Sequence, residues 1–142
     1  MITKQAQYPN FGINLDQQFT VTVDIPANAT YENLTVIDTI PIGMDFRSFV
    51  SATCTSDGDG CVPITNLART FENNNGGLEE FAGWYIDSVP LSGEARTLTF
   101  VYTARVTGNP ALLTGFTNSV DVMFNVVDRL GGVVPRLSLI HI

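Results

Sequence analysis

The sequence predicts an all-β protein folded as a two-sheet sandwich of seven to eight strands. Three observations carry that expectation. Short alternating or wholly apolar runs recur between Pro, Gly and Asn turn signals, threonines fill the outward positions of those runs, and no apolar pattern of helical period lasts long enough for a long helix. With 142 residues and 44% apolar content, the chain is large enough for one domain with a real core and too apolar for disorder.

The opening ITKQAQY puts Ile2, Lys4, Ala6 and Tyr8 on one face of a strand. FTVTVDI (19–25) sets Phe19, Val21, Val23 and Ile25 against Thr20, Thr22 and Asp24, and Pro26 ends its ladder. ENLTVIDTI (32–40) follows the PANATY turn and is stopped by Pro41 and Gly43. DFRSFVSATC (45–54) and CVPITNL (61–67) flank a loop bracketed by Cys54 and Cys61. Residues 68–82 hold the NNNGG turn and a short helical turn at LEEFA. GWYIDSV (83–89) is an aromatic strand. ARTLTFVYTARV (95–106) turns Leu98, Phe100, Tyr102, Ala104 and Val106 inward, and FTNSVDVMFNVVD (116–128) is the last long strand before a turn at RLGG. Strands of this number and length fit an immunoglobulin-like topology, with no internal repeat.

Three polar residues fall into apolar register on separate strands. Lys4, the only lysine, keeps step with Ile2 and Ala6; Asp38 with Leu34, Val36 and Ile40; Asn118 with Phe116, Val120, Val122, Phe124 and Val126. An isolated buried ammonium or carboxylate is costly, so inward Lys4 and Asp38 call for a shared explanation. Desolvation lowers a lysine pKa and raises an aspartate pKa, so a buried pair can exist as neutral amine and protonated acid. A neutral Lys4 could then attack the Asn118 side-chain amide while Asp38 polarises that carbonyl and shuttles protons, leaving an intramolecular isopeptide bond. Each residue also has a plain structural reading: Lys4 solvated on a frayed strand, Asp38 satisfying backbone donors before Pro41, and Asn118 as an ordinary hydrogen-bonded polar residue.

The run VIDTIPIGMDF, preceded by FTVTVDIP and followed by GWYIDSVPLSGEARTLTFVYTARV and TNSV, resembles the isopeptide-forming domains of bacterial fimbrial and surface proteins. It is also similar to the related tandem-repeat domains of bacterial cell-wall and adhesin-like proteins. The resemblance covers about residues 2–125, and DTIPIG at 38–43 is its strongest motif, supported by Trp84 and Asn118. It implies that the reactive lysine, catalytic acid and asparagine of a self-modifying site fall on Lys4, Asp38 and Asn118. Ser119-Val120 departs from the family's small residue two positions after the asparagine.

Other features bound the function. The formal charge of −7, with the arginines scattered, disfavours nucleic acid or an anionic membrane as partner, and no apolar run approaches the ~20 residues of a membrane helix. The cysteine spacing fits a disulfide clamp better than a zinc or redox C-x-x-C pair, which favours an extracytoplasmic location over two free cytosolic thiols. Residues 137–142, LSLIHI, match the translation of a sequencing-library transposon adaptor. The expectation is therefore a single domain over 1–136, part of a longer multi-domain protein, with 137–142 as adaptor read-through. That removes His141, the only histidine, and with it Ser-His-Asp, Cys-His and His-ligated zinc sites.

Weaker candidates read as structure. Asp57 and Asp59 do not supply the 6 to 8 oxygens of a calcium site. Asn28 and Asn33 match glycosylation acceptors by short motifs that arise by chance. Glu79 and Glu80 read as a solvated loop, and Trp84 reads as core rather than as a sugar platform with Tyr85.

No metal or cofactor is expected, and a single self-modification is not enzymatic turnover. The expected function is a stalk or repeat module of a bacterial surface, fimbrial or adhesin-like protein, at the cell surface or wall, whose partners are neighbouring domains of the same polypeptide. The alternative is an extracellular module that binds a host protein or glycan through its loops.

Overall fold

The computed structural model describes residues 2–6, 15–40, 43–61, 64, 69–73, 80–106, 119–127 and 133–141, with side chains through Arg105. Two antiparallel sheets face each other. The first runs β1 (Ile2–Ala6), β2 (Asp16–Ile25), β7 (Arg96–Val106) and β4 (Met44–Ser56). The second runs β5 (Arg69–Asn73), β6 (Glu80–Val89), β3 (Tyr31–Ile40), β8 (Ser119–Val127) and β9 (Val133–His141). No described residue is helical, and the immunoglobulin-like two-sheet sandwich is the architecture that the strand pattern predicts.

Strict alternation builds the core. Phe19, Val21, Val23 and Ile25 of β2 meet Leu98, Phe100, Tyr102 and Ala104 of β7 in one inner face. Leu34, Val36 and Ile40 of β3 lie beside Ala82, Trp84 and Ile86 of β6 in the other. A one-residue slip in any of these strands would turn its whole apolar set to water, so the register is strongly specified.

Nine strands are present among the described residues, and the extra ones lie where the sequence is least patterned. The strand expected over 61–67 is not formed at its described positions: Cys61 is in a turn and Ile64 lies outside any strand. The neighbouring strand is instead β5, whose Phe71 lies over Gly83 of β6; a Cβ there would collide with the ring. The helical turn expected at LEEFA is also replaced, since β6 already starts at Glu80. Pairing of Glu80 with Ile40 and of Ala82 with Asp38 extends the period-two pattern of Trp84 backward through a segment whose composition hides it. Strand β9 pairs along the whole of β8, so residues 137–141 share a sheet with 133–136.

Strand β4, an edge of the first sheet, breaks register with β7 twice, between Phe46 and Ser48 and between Phe49 and Ser51. At one end of the sandwich Arg96, 1% exposed, donates to the carbonyls of Pro90 at 2.5 Å and Ala29 at 3.0 Å, gathering two connections around one guanidinium. The Cys54–Cys61 disulfide closes the adjacent loop, with Cα atoms 5.8 Å apart, and the Gly60 N–H donates to Glu94 Oε2 at 3.0 Å. Cross-linking across a separation of 7 residues is worth about 2.5 kcal/mol on the chain-entropy model. Replacing both cysteines by alanine is therefore expected to lower the unfolding free energy by about that amount in a urea titration, and an unchanged midpoint would show that the clamp contributes nothing.

Candidate functional site

At the other end of the sandwich, three strands converge on one polar cluster inside the aromatic core. Lys4 enters from β1, where its backbone pairs with Val21 of β2, so the alternation that buries Ile2 carries the lysine inward as well. Asp38 enters from β3 in the opposite sheet, between the buried Val36 and Ile40. Tyr102 stands on β7, paired with Phe19.

Lys4 Nζ lies 2.8 Å from each oxygen of Asp38, with side-chain exposures of 3% and 0%. Tyr102 Oη donates to Asp38 Oδ2 at 2.5 Å and accepts from Lys4 Nζ at 3.3 Å. Aromatic rings enclose the cluster. Nζ sits 4.9 Å from the centroid of Phe19, whose ring stacks on Tyr102 at 5.4 Å. Phe46 and Trp84 approach Tyr102 at 6.3 and 5.9 Å.

Burial pushes Lys4 below the ordinary lysine range, with the Asp38 charge and hydrogen bond acting against it. Burial likewise pushes Asp38 above the ordinary aspartate range, opposed by the Lys4 charge and by hydrogen bonds from Lys4 and Tyr102. Both shifts run toward the neutral forms, and the amine and the carboxyl group lie within one hydrogen bond of each other.

Of the residues expected to react, Lys4 and Asp38 are brought together. Asn118 lies outside the described residues; the strand that follows it, β8, pairs Val120 with Asp38 and Ser119 with Thr39. Cys54 and Cys61 are bonded and lie away from the cluster, beside Arg96. Trp84 is 1% exposed, so it packs as core. Tyr85 hydrogen-bonds Asn33 Oδ1 at 2.6 Å, under the Arg69 guanidinium.

Glu80 corrects an expectation. It is no solvated loop residue but 1% exposed, and its carboxylate accepts the Phe46 N–H at 2.7 Å across the two sheets. Tyr102 is the member of the cluster that the residue pattern did not single out, though a phenol in an inward register signals a need for a polar partner. Among the described residues no group of three or more His, Cys, Asp or Glu is arranged to hold a metal, and no helix is long and apolar enough to cross a membrane.

No protein-family profile and no curated protein matches the chain. Solved structures do match in fold. The collagen-binding subdomain ACE19 of the Enterococcus faecalis surface protein ACE superposes with a TM-score of 0.55 at 12% identity, covering 99% of this chain and 94% of that one. The pilus backbone RrgB of Streptococcus pneumoniae gives 0.59 at 17% identity, over 88% of this chain and 51% of that one. The major pilin SpaA of Corynebacterium diphtheriae, whose structure is described as pointing to a modular pilus assembly and stabilizing isopeptide bonds, gives 0.56 at 20% identity over 85% and 31%. The chain shares its fold with these domains, and it spans about half of the RrgB chain and a third of the SpaA chain.

The cluster sets a stability balance that substitution can expose. Removing one partner of a buried ion pair leaves an uncompensated charge, at a cost of about 3–5 kcal/mol, whereas apolar replacement of the whole group is close to neutral. Lys4→Met and Asp38→Leu are each expected to unfold at lower denaturant than the triple variant Lys4→Met, Asp38→Leu, Tyr102→Phe. The Lys4→Met chain should also approach the triple variant as pH falls. Its Asp38 pKa is raised in the folded state, so the contribution is complete below the unfolded value of about 3.9 and is lost as pH rises through the folded one. Equal stability of the three chains at every pH would contradict this balance.

Proposed function

We propose that this chain is a structural stalk or repeat module of a bacterial surface, fimbrial or adhesin-like protein, braced by a self-formed isopeptide bond between Lys4 and Asn118 with Asp38 as the acid. The observation that carries the proposal is the dry Lys4–Asp38 pair, which bridges the two sheets inside an aromatic cage. A pair intended only for stability would be no better than apolar residues in the same space. A pair that must react needs the desolvation that makes the amine neutral.

The chemistry balances without a cofactor. Lys4 passes one proton to Asp38, and its neutral Nζ attacks Cγ of Asn118 while the acid polarises the amide carbonyl. The Nζ–Cγ bond forms as the Cγ–Nδ2 bond breaks. Of the three protons that Nζ carries at the start, one stays in the new amide, one leaves with Nδ2 as ammonia, and one rests on Asp38. The reaction happens once per chain, so the module is modified by it and turns nothing over.

The bond would tie β1 to the segment that leads into β8, closing a loop of nearly the whole domain. In the loop-entropy description developed for disulfides, a loop of roughly 100 residues is worth about 4.7 kcal/mol. Such a brace suits a module that resists pulling and proteolysis. The fold shared with pilus subunits and the disulfide agree with a place outside the cell, at the surface or in the wall, where neighbouring domains of the same polypeptide are the first partners. A second reading, a module that binds a host protein or glycan, is favoured by the fold shared with the collagen-binding subdomain of ACE over nearly that subdomain's full length.

Intact-mass measurement tests the proposal. The purified chain is expected to lack one ammonia in addition to the two hydrogens of the disulfide, and Lys4→Ala or Asp38→Ala to restore that ammonia. A mass lacking only the two hydrogens would refute the bond. Loss of water instead of ammonia would place the linkage on a carboxyl group and overturn the role of Asn118.

A further inference from the structure

Lys4 does not distinguish the two oxygens of Asp38, since Nζ is 2.8 Å from each. Tyr102 does distinguish them, because its hydroxyl donates to Oδ2 at 2.5 Å, the length of a charge-assisted O–H···O bond. The phenol is held where it is. Its ring stacks on Phe19 and is flanked by Phe46 and Trp84, and the side chain is fully buried. The same oxygen accepts from Lys4 Nζ at 3.3 Å, so it touches the amine and the acid together.

We propose that Tyr102 is a positioning residue of the cross-linking reaction: by occupying Oδ2 it leaves Oδ1 as the oxygen that takes the proton from Lys4 and hands a proton to the departing amide nitrogen. The inference rests on the proposed self-modification and adds to it a residue on a third strand.

A carboxyl group held at one oxygen cannot rotate to offer either oxygen in turn, and proton transfer between fixed groups is where orientation contributes most. The phenol's hydrogen bond also favours the ionised carboxylate, which works against the transfer. Fixed geometry outweighs that cost, so its loss slows the reaction.

Among the described residues, the titratable side chains hydrogen-bonded to Tyr102 include Lys4 from β1 and Asp38 from β3. Phe19 on β2 and Phe46 on β4 bring no charge, and on β6 the nearest carboxylate on the inner face is Glu80, beyond Ala82 and bonded to the Phe46 N–H.

The full 142-residue chain, unfolded in urea before it has reacted, is diluted into buffers across a pH series, and the fraction lacking one ammonia is followed by intact mass. Tyr102→Phe is expected to slow the loss by about tenfold. It should also move the acid limb of the rate profile to higher pH, because removing a donor to the charged form raises the carboxyl pKa. A chain carrying 3-fluorotyrosine at position 102 keeps the shape with a more acidic phenol, and should move the limb the other way.

An unchanged or faster rate in Tyr102→Phe overturns the inference, as does an acid limb that neither Tyr102 variant moves. If Tyr102→Phe fails to fold, the fluorotyrosine chain decides alone, and an unmoved limb in it overturns the inference. An unsubstituted chain that never loses ammonia defeats the cross-link reading itself, and is told apart from the other outcomes by the wild-type trace.

Discussion

A lysine and an aspartate buried against each other across two facing sheets constrain everything around them. Lys4 and Asp38 retain 3% and 0% of their side-chain exposure, so water screens neither, and the cost of desolvation must be met by the geometry of the contact. The strand registers supply that geometry. Lys4 faces inward because β1 pairs with β2 through Val21, and Asp38 faces it because β3 is fixed by β6 through Ala82 and by β8 through Val120. A shift of one residue in either strand would point a charge at solvent and its apolar neighbours with it. The polar cluster and the apolar core therefore specify the same register.

The aromatic side chains link that register to the surroundings of the charged pair. Phe19, Phe46, Trp84 and Tyr102 keep the cluster dry while bringing it one hydroxyl, so the dielectric stays low and one directional donor is available. In such surroundings burial drives the ammonium and the carboxylate toward their neutral forms, while their mutual attraction and hydrogen bonds oppose it. Arg96, at the opposite end, makes the contrast. Its guanidinium is equally buried but meets backbone carbonyls rather than a carboxylate, and it serves to gather the connections near the disulfide.

Sequence reached the fold through β2, β3 and β7, whose period-two alternation runs for ten or eleven residues and leaves no competing reading. It reached Lys4 and Asp38 for the same reason, because a charge in apolar register stands out against that alternation. It did not reach Glu80, which follows NNNGGLE and looks like loop until its pairing with Ile40 is known. Nor did it reach β5, where RTFEN offers a single apolar residue and the strand exists because Phe71 can lie over Gly83 on a neighbouring strand. Tyr102 was seen only as core, since its alternation says that it is inside but not what its hydroxyl meets. In each case the missing information is a contact between residues far apart in the chain, which local pattern does not encode.

The two register breaks in β4 bear on how that edge meets other strands. Among the described residues, a thirteen-residue edge strand is a template to which a passing strand could add. Bulges near Arg47 and Val50 twist that edge out of line, and the Glu80 carboxylate occupies the Phe46 N–H. The domain thus carries its own guard against strand addition at this edge.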